Sequence, residues 1–150
     1  MTQTKAPSPT SLVLRRTYDA PRAKVFEAWT DPEAMKVFMG PNDVKVPEVK
    51  VDFRVGGSYG ITMLLPDGER LNVRGVYREI KRPERIVCTW QWEEDDPALE
   101  RETLLTLEFF ERGSQTEPVL THENFRDADQ RDRHEDGWTS ILENLAATAK

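Results

Sequence analysis

One cysteine and two histidines are all that 150 residues offer in thiol or imidazole side chains. A single cysteine excludes an internal disulfide framework and fits a reducing compartment. Cys88 stands in an apolar, strand-like run with no basic neighbour to activate it, so a buried thiol is expected rather than a nucleophile. No His/Cys pair has ligand spacing, and Asp127, Asp129 and Asp132 fit a charged helix start better than a cation site. No metal and no cofactor are therefore expected. Gly56-Gly57 lacks the following helix and lysine of a phosphate-binding loop. A basic excess is also missing: the net charge is −6, and short clusters such as Arg15-Arg16 and Lys81-Arg82 are offset by nearby acids, which argues against nucleic acid as a partner. No apolar run approaches a membrane span, and the first residues carry no apolar signal region. The expectation is a cytoplasmic protein with residues 1–10 as a polar, flexible leader and 11–150 as one domain.

What is present is a clear change of period along the chain. Ser11 to Tyr18 alternates as a first strand. Asp19-Ala20-Pro21 opens a short helix with Val25, Phe26 and Trp29 on one face; Asp31-Pro32-Glu33 restarts a second, which Gly40-Pro41 ends. From Val44 the period becomes two, with Pro47 marking an edge or a bulge. Pro66-Asp67-Gly68 predicts a three-residue hairpin loop that pairs Leu65 with Glu69, Ile61 with Val73 and Tyr59 with Gly75. Odd-numbered residues of both strands then share one face, and Arg74 and Arg78 point to solvent, unless the register slips by one. Further strands carry Ile86, Cys88, Trp90 and Trp92, then Thr103 to Phe109, then Val119 to His122. Asp127 to Ala147 reads as one long helix. Asp127 and Gln130 form a capping-box-like start, and His134, Trp138, Ile141, Leu142 and Leu145 make an apolar stripe. Gly137 beside Trp138 marks either a close approach to the backbone or loose packing.

Six sequential strands with short turns form an antiparallel meander, and only the last helix is long enough to cover its open face. The expected fold is α+β: a curved sheet of about six to seven strands wrapped around the C-terminal helix, with two short helices after the first strand. Such a wrap leaves an apolar pocket between helix and sheet.

The element order resembles the helix-grip superfamily of START domains and the birch-pollen allergen (SRPBCC). More closely, the chain resembles bacterial single-domain homologues of the activator of the 90-kDa heat-shock-protein ATPase. The residues that carry this are Asp19-Ala20-Pro21, Val25 to Glu33, Gly40-Pro41, Gly56-Gly57 and Pro66-Asp67-Gly68. Gly75 to Ile80, Pro83 to Ile86, Thr89-Trp90, His122-Glu123 with Phe125, and Gly137-Trp138 complete the set. The resemblance implies a hydrophobic cavity for lipids, polyketide-like or other small apolar molecules, on a fold shared by carriers, enzymes and co-chaperones. The family pattern has two tryptophans where this chain has Phe38-Met39, which bears on ligand choice.

The expected cavity lining is Trp29, Phe38, Tyr59, Met63, Val73, Trp90, Leu107, His122, Phe125, His134 and Trp138. His122 and His134 have two readings: acid–base or hydrogen-bonding groups inside the cavity, or structural side chains satisfied by backbone or water. Three functions follow. The first is a non-catalytic binder of a small apolar molecule. The second is a cyclase- or dehydratase-like enzyme, marked by a histidine and a tyrosine within hydrogen-bonding reach. The third is a regulatory module with a chaperone partner, for which the acidic Glu93–Asp96 loop is the docking candidate. Either a monomer or a homodimer through the edge near Pro47 is compatible with the sequence.

Overall fold

The computed structural model describes residues 9–148 and orders ten main elements along the chain. These are β1 (Ser11–Arg15), α1 (Arg22–Ala28), α2 (Pro32–Phe38), β2 (Lys45–Val51), β3 (Ser58–Leu64) and β4 (Arg70–Lys81), followed by β5 (Arg85–Trp92), β6 (Thr103–Arg112), β7 (Gln115–Glu123) and α3 (Ala128–Thr148). The strands form one antiparallel sheet in the order β1-β7-β6-β5-β4-β3-β2. β2 to β7 are therefore the predicted meander, and β1 closes the far edge on β7. The curved sheet, two short helices and long C-terminal helix form the expected α+β fold.

Local chemistry explains the joints. Gly68 takes φ +91°, and the Leu65 N–H donates to the Glu69 carbonyl at 2.9 Å, so the hairpin closes in the predicted register: Met63 opposite Leu71, Ile61 opposite Val73. Arg74 and Arg78 lie outside, paired with Glu100 and Glu102. β2 is an edge strand whose register shifts between Lys45 and Glu48, around Pro47, which cannot donate to the ladder. Asp31 caps α2 by accepting from the Glu33 N–H at 3.0 Å. At α3, Asp127 Oδ1 accepts from the Gln130 N–H at 2.8 Å, and Gln130 Oε1 accepts from the Arg126 N–H at 2.7 Å. That is a capping box displaced by one residue at its return bond.

Several boundaries differ from the sequence reading: β1 ends at Arg15, with Tyr18 making only an isolated bridge to Thr116, and β6 runs on to Arg112. β7 begins at Gln115, four residues before the predicted Val119, although Pro118 reads as a breaker. Pro118 needs only an acceptor role there, and its carbonyl takes the Arg16 N–H at 3.2 Å. Most of the expected leader, residues 1–8, lies outside the described residues. Thr10 within it is anchored, because its carbonyl accepts from the Phe125 N–H at 3.0 Å.

Trp138, Ile141, Leu142 and Leu145 are buried, as the helical stripe predicts, and each stabilises the fold by about 1.5–3 kcal/mol through burial. The C-terminal half of α3 is pinned to the rest of the fold by polar bonds. Tyr18 Oη donates to the Leu142 carbonyl at 2.8 Å, and the Asn42 N–H donates to Ser140 Oγ at 2.8 Å. Asn144 Nδ2 donates to the Gly40 carbonyl at 2.8 Å, past the end of α2. Among the described residues no helix is long and apolar enough to cross a membrane.

Candidate functional site

Between the N-terminal half of α3 and the β3–β5 part of the sheet lies a cleft of about 710 Å³. Its helix wall is Gln130, Arg133, His134, Gly137, Trp138 and Ile141, the i, i+3, i+4, i+7, i+8, i+11 stripe of a single face. Its sheet wall is Met63, Leu65, Leu71, Trp90 and Trp92; Pro41 and Val44 close one end. Glu69, Glu93, Glu94, Leu99 and Arg126 stand at an exposed rim. Glu100 holds that rim in place. It accepts from Arg74 and Gln91 at 2.8 Å each, and from the Glu94 N–H at 3.2 Å. These bonds, the Glu94 backbone N–H first, keep its carboxyl below the usual range.

Deeper in, a second cavity of about 20 Å³ is bordered by Trp29, Met35, Met39, Tyr59, Ile86, Trp90, Leu107 and Trp138, among others. Trp90 and Trp138 border both spaces. The strand pair is locally open here: the β4–β5 ladder skips from Arg74–Gln91 to Tyr77–Cys88. Side chains take over the freed backbone groups. Tyr59 Oη donates to the Thr89 carbonyl, Thr103 Oγ1 donates to the Trp90 carbonyl at 2.6 Å, and Thr89 Oγ1 accepts from the Val76 N–H at 2.8 Å. Gly75 is required for this arrangement, since a Cβ would stand 2.0 Å from the Thr89 oxygen and 2.6 Å from the Tyr59 hydroxyl.

Both histidines are engaged on both ring nitrogens. Trp138 Nε1–H donates to His122 Nδ1 at 2.9 Å, and His122 Nε2 lies 2.7 Å from Thr103 Oγ1. The threonine proton is already spent on the Trp90 carbonyl, so His122 must donate from Nε2 and is neutral. His134 mirrors it. Trp92 Nε1–H donates to His134 Nε2 at 2.8 Å, which leaves Nδ1 to donate to the Gln130 carbonyl at 2.8 Å. Burial pushes His122 well below its ordinary value, with His134 adding to the shift. Burial also lowers His134, against the raising effect of its Gln130 bond. The two rings stand 5.2 Å apart, edge to face.

The eleven residues expected to line a cavity separate into three groups. Met63, Trp90, His134 and Trp138 face the cleft. Trp29, Tyr59 and Leu107, with Trp90 and Trp138 again, border the small inner cavity. Phe38, Val73, His122 and Phe125 border neither space and are buried in the core. The cleft adds Leu65, Leu71 and Trp92, which strand parity places on the inner face, and Ile141, which the helical period places there. Among the described residues no group of His, Cys, Asp and Glu is arranged to hold a metal ion. Cys88 is buried, and its thiol is pushed up to about 12 by desolvation.

This geometry can be set beside known proteins. Residues 19–150 match the family model described as Activator of Hsp90 ATPase homolog 1-like protein. The chain belongs to that family. Among solved structures the chain is similar to a Chromobacterium violaceum protein: 28% identical, TM-score 0.86, covering 95% of this chain and 98% of the other. The AHSA1 protein of Silicibacter pomeroyi is 29% identical with TM-score 0.83, covering 92% and 96%. A Nitrosomonas europaea protein, 22% identical with TM-score 0.79 and 95% of each chain covered, shares the fold. No curated protein matches the chain.

Proposed function

We propose that this family member binds a small, largely apolar molecule in the cleft between β3–β5 and α3. The observation that carries the reading is the cleft itself: about 710 Å³, within the range of small-molecule sites. Its walls are largely aromatic and aliphatic, and apart from the exposed Arg133 on the helix its charges stand at the rim. The histidines support binding rather than proton transfer. Each has its acceptor nitrogen filled by an indole N–H and its donor nitrogen bonded to oxygen. The histidine–tyrosine pair that an acid–base enzyme calls for is not formed. Tyr59 donates to Thr89 and Tyr18 to Leu142. The acidic loop, the chain's candidate for docking a chaperone, serves here as the cleft's rim, fastened through Glu94 to Glu100 and through Glu93 to Asn72.

Native mass spectrometry of the protein from its own host, with extraction of bound molecules, tests the reading. A stoichiometric apolar molecule is the expected result. Three of the four tryptophans border the cleft, so occupancy also shifts indole emission. An empty protein, with emission indifferent to fatty acids, flavonoids and aromatic polyketides, would overturn it.

A further inference from the structure

The four tryptophans of this chain touch in series: Trp29–Trp138 at 6.3 Å, Trp138–Trp90 at 4.9 Å and Trp90–Trp92 at 5.6 Å between ring centroids. Each brings one indole N–H, a donor that cannot accept. The two histidines of the chain serve Trp138 and Trp92. The N–H groups of Trp29 and Trp90 have no partner, although the residues are only 4% and 3% exposed. Both rings border the same inner cavity of about 20 Å³, a space of the order of one oxygen atom or water. The neighbouring hydroxyl of Tyr59 has its proton committed to the Thr89 carbonyl. Met35 and Met39 form part of the wall, and their unbranched side chains adapt to what enters.

We propose that this cavity is the inner end of the ligand site and takes an uncharged carbonyl oxygen, as of a ketone, ester or lactone, on the Trp29 and Trp90 N–H groups. The proposal rests on the cleft reading and names the polar end of its ligand. Trp90 and Trp138 border both spaces, so a molecule lying in the cleft reaches the cavity across them. A carbonyl oxygen brings two lone pairs and no proton, which matches two donors. A carboxylate would bury a charge where no cationic side chain lines the wall.

Benzophenone and diphenylmethane test this as a pair, sharing a skeleton and differing in the carbonyl. Calorimetric titration of the whole protein is expected to favour benzophenone by about tenfold, the scale of one or two net hydrogen bonds. In Trp90→Phe and Trp29→Phe, which keep an aromatic ring and remove the donor, the ratio of the two affinities is expected to fall toward one, whatever the change in either affinity alone. Indole 1H–15N resonances of the unsubstituted protein need no variant. Those of Trp29 and Trp90 should move with benzophenone and stay with diphenylmethane. Equal affinity for the two probes would sink the carbonyl proposal and leave the cleft reading standing. So would indole resonances that ignore the ketone, the result if a resident water alone answers the donors. Binding of neither probe would overturn both.

Discussion

Acid should destabilise this protein well before its carboxylates titrate, and His122 is the reason. In the fold its Nδ1 accepts from Trp138, so a proton added there would face another N–H. Burial opposes the charge as well, and the ring is 0% exposed. In the unfolded chain the same imidazole titrates near 6.5. Above that pH both states are neutral and the full stability is present. As pH falls below 6.5 the unfolded state takes up a proton that the fold refuses, and stability is lost until the depressed folded pKa is reached. Linkage gives a slope of up to about 1.4 kcal/mol per pH unit, or about 2 kcal/mol between pH 7 and 5 for a histidine that stays neutral throughout. His134 is lowered too and adds up to the same amount. The carboxylates with depressed values, Glu100 and Asp127, have ordinary values of 4.5 and 3.8, so their loss falls below this window. Urea unfolding at half-unit steps from pH 7.5 to 5 measures the slope. His122→Phe should cost about 2–3 kcal/mol at pH 7, by orphaning Trp138 Nε1 and removing the Thr103 donor, and should also flatten the slope. Stability flat from pH 7 to 5, or an unchanged slope in the variant, would refute the reasoning.

Other expectations follow from single contacts. Gly75→Ala places a Cβ 2.0 Å from the Thr89 carbonyl and displaces Tyr59, so denaturant titration should show a loss of about 2–4 kcal/mol; a loss under 1 would mean the open ladder relaxes freely. Gly137→Ala meets only Pro41 at 3.9 Å, and should stabilise α3 by up to about 1 kcal/mol, read as a rise in melting temperature. A fall instead would show that the glycine serves the backbone's conformation. Cys88, with its thiol pushed up to about 12 by burial, should resist an aromatic disulfide reagent at pH 8 until urea unfolds the chain; fast reaction in the folded protein would contradict that burial.

The parts of this fold legible in sequence are those fixed by short-range chemistry. Pro66-Asp67-Gly68 sets a turn, the turn sets a register, and the register decides that Val73 points inward while Arg74 meets Glu100. The α3 stripe is legible for the same reason: period alone places Trp138, Ile141 and Leu145 on one face. The site was legible only to the level of a face. Hydrophobic pattern puts Phe38, Val73, His122 and Phe125 inside along with Met63 and Trp90, but does not say which of them meet another side chain and which meet space. Trp92 and Leu71 border the cleft because α3 stands away from the sheet at its N-terminal half. That separation depends on residues far apart in the chain.

What holds the helix away is the pattern of polar fastenings along it. Tyr18, Asn144 and the Asn42–Ser140 bond fix its C-terminal half against the segments that follow β1 and α2. At the other end the Trp138–His122 and Trp92–His134 bonds span helix and sheet through full-sized aromatic rings. A helix seated at one end and propped by rings at the other cannot close onto β3 and β4, whose facing side chains, Met63 and Leu71, leave the gap unfilled. The histidines are then best understood as struts with an acceptor atom at the tip. Each removes the penalty of a buried indole N–H, about 1–3 kcal/mol, while keeping the sheet and α3 a ring's width apart. Shortening either strut, as in His134→Ala, removes both the acceptor and the spacer, so a smaller cleft and a weaker fold should appear together.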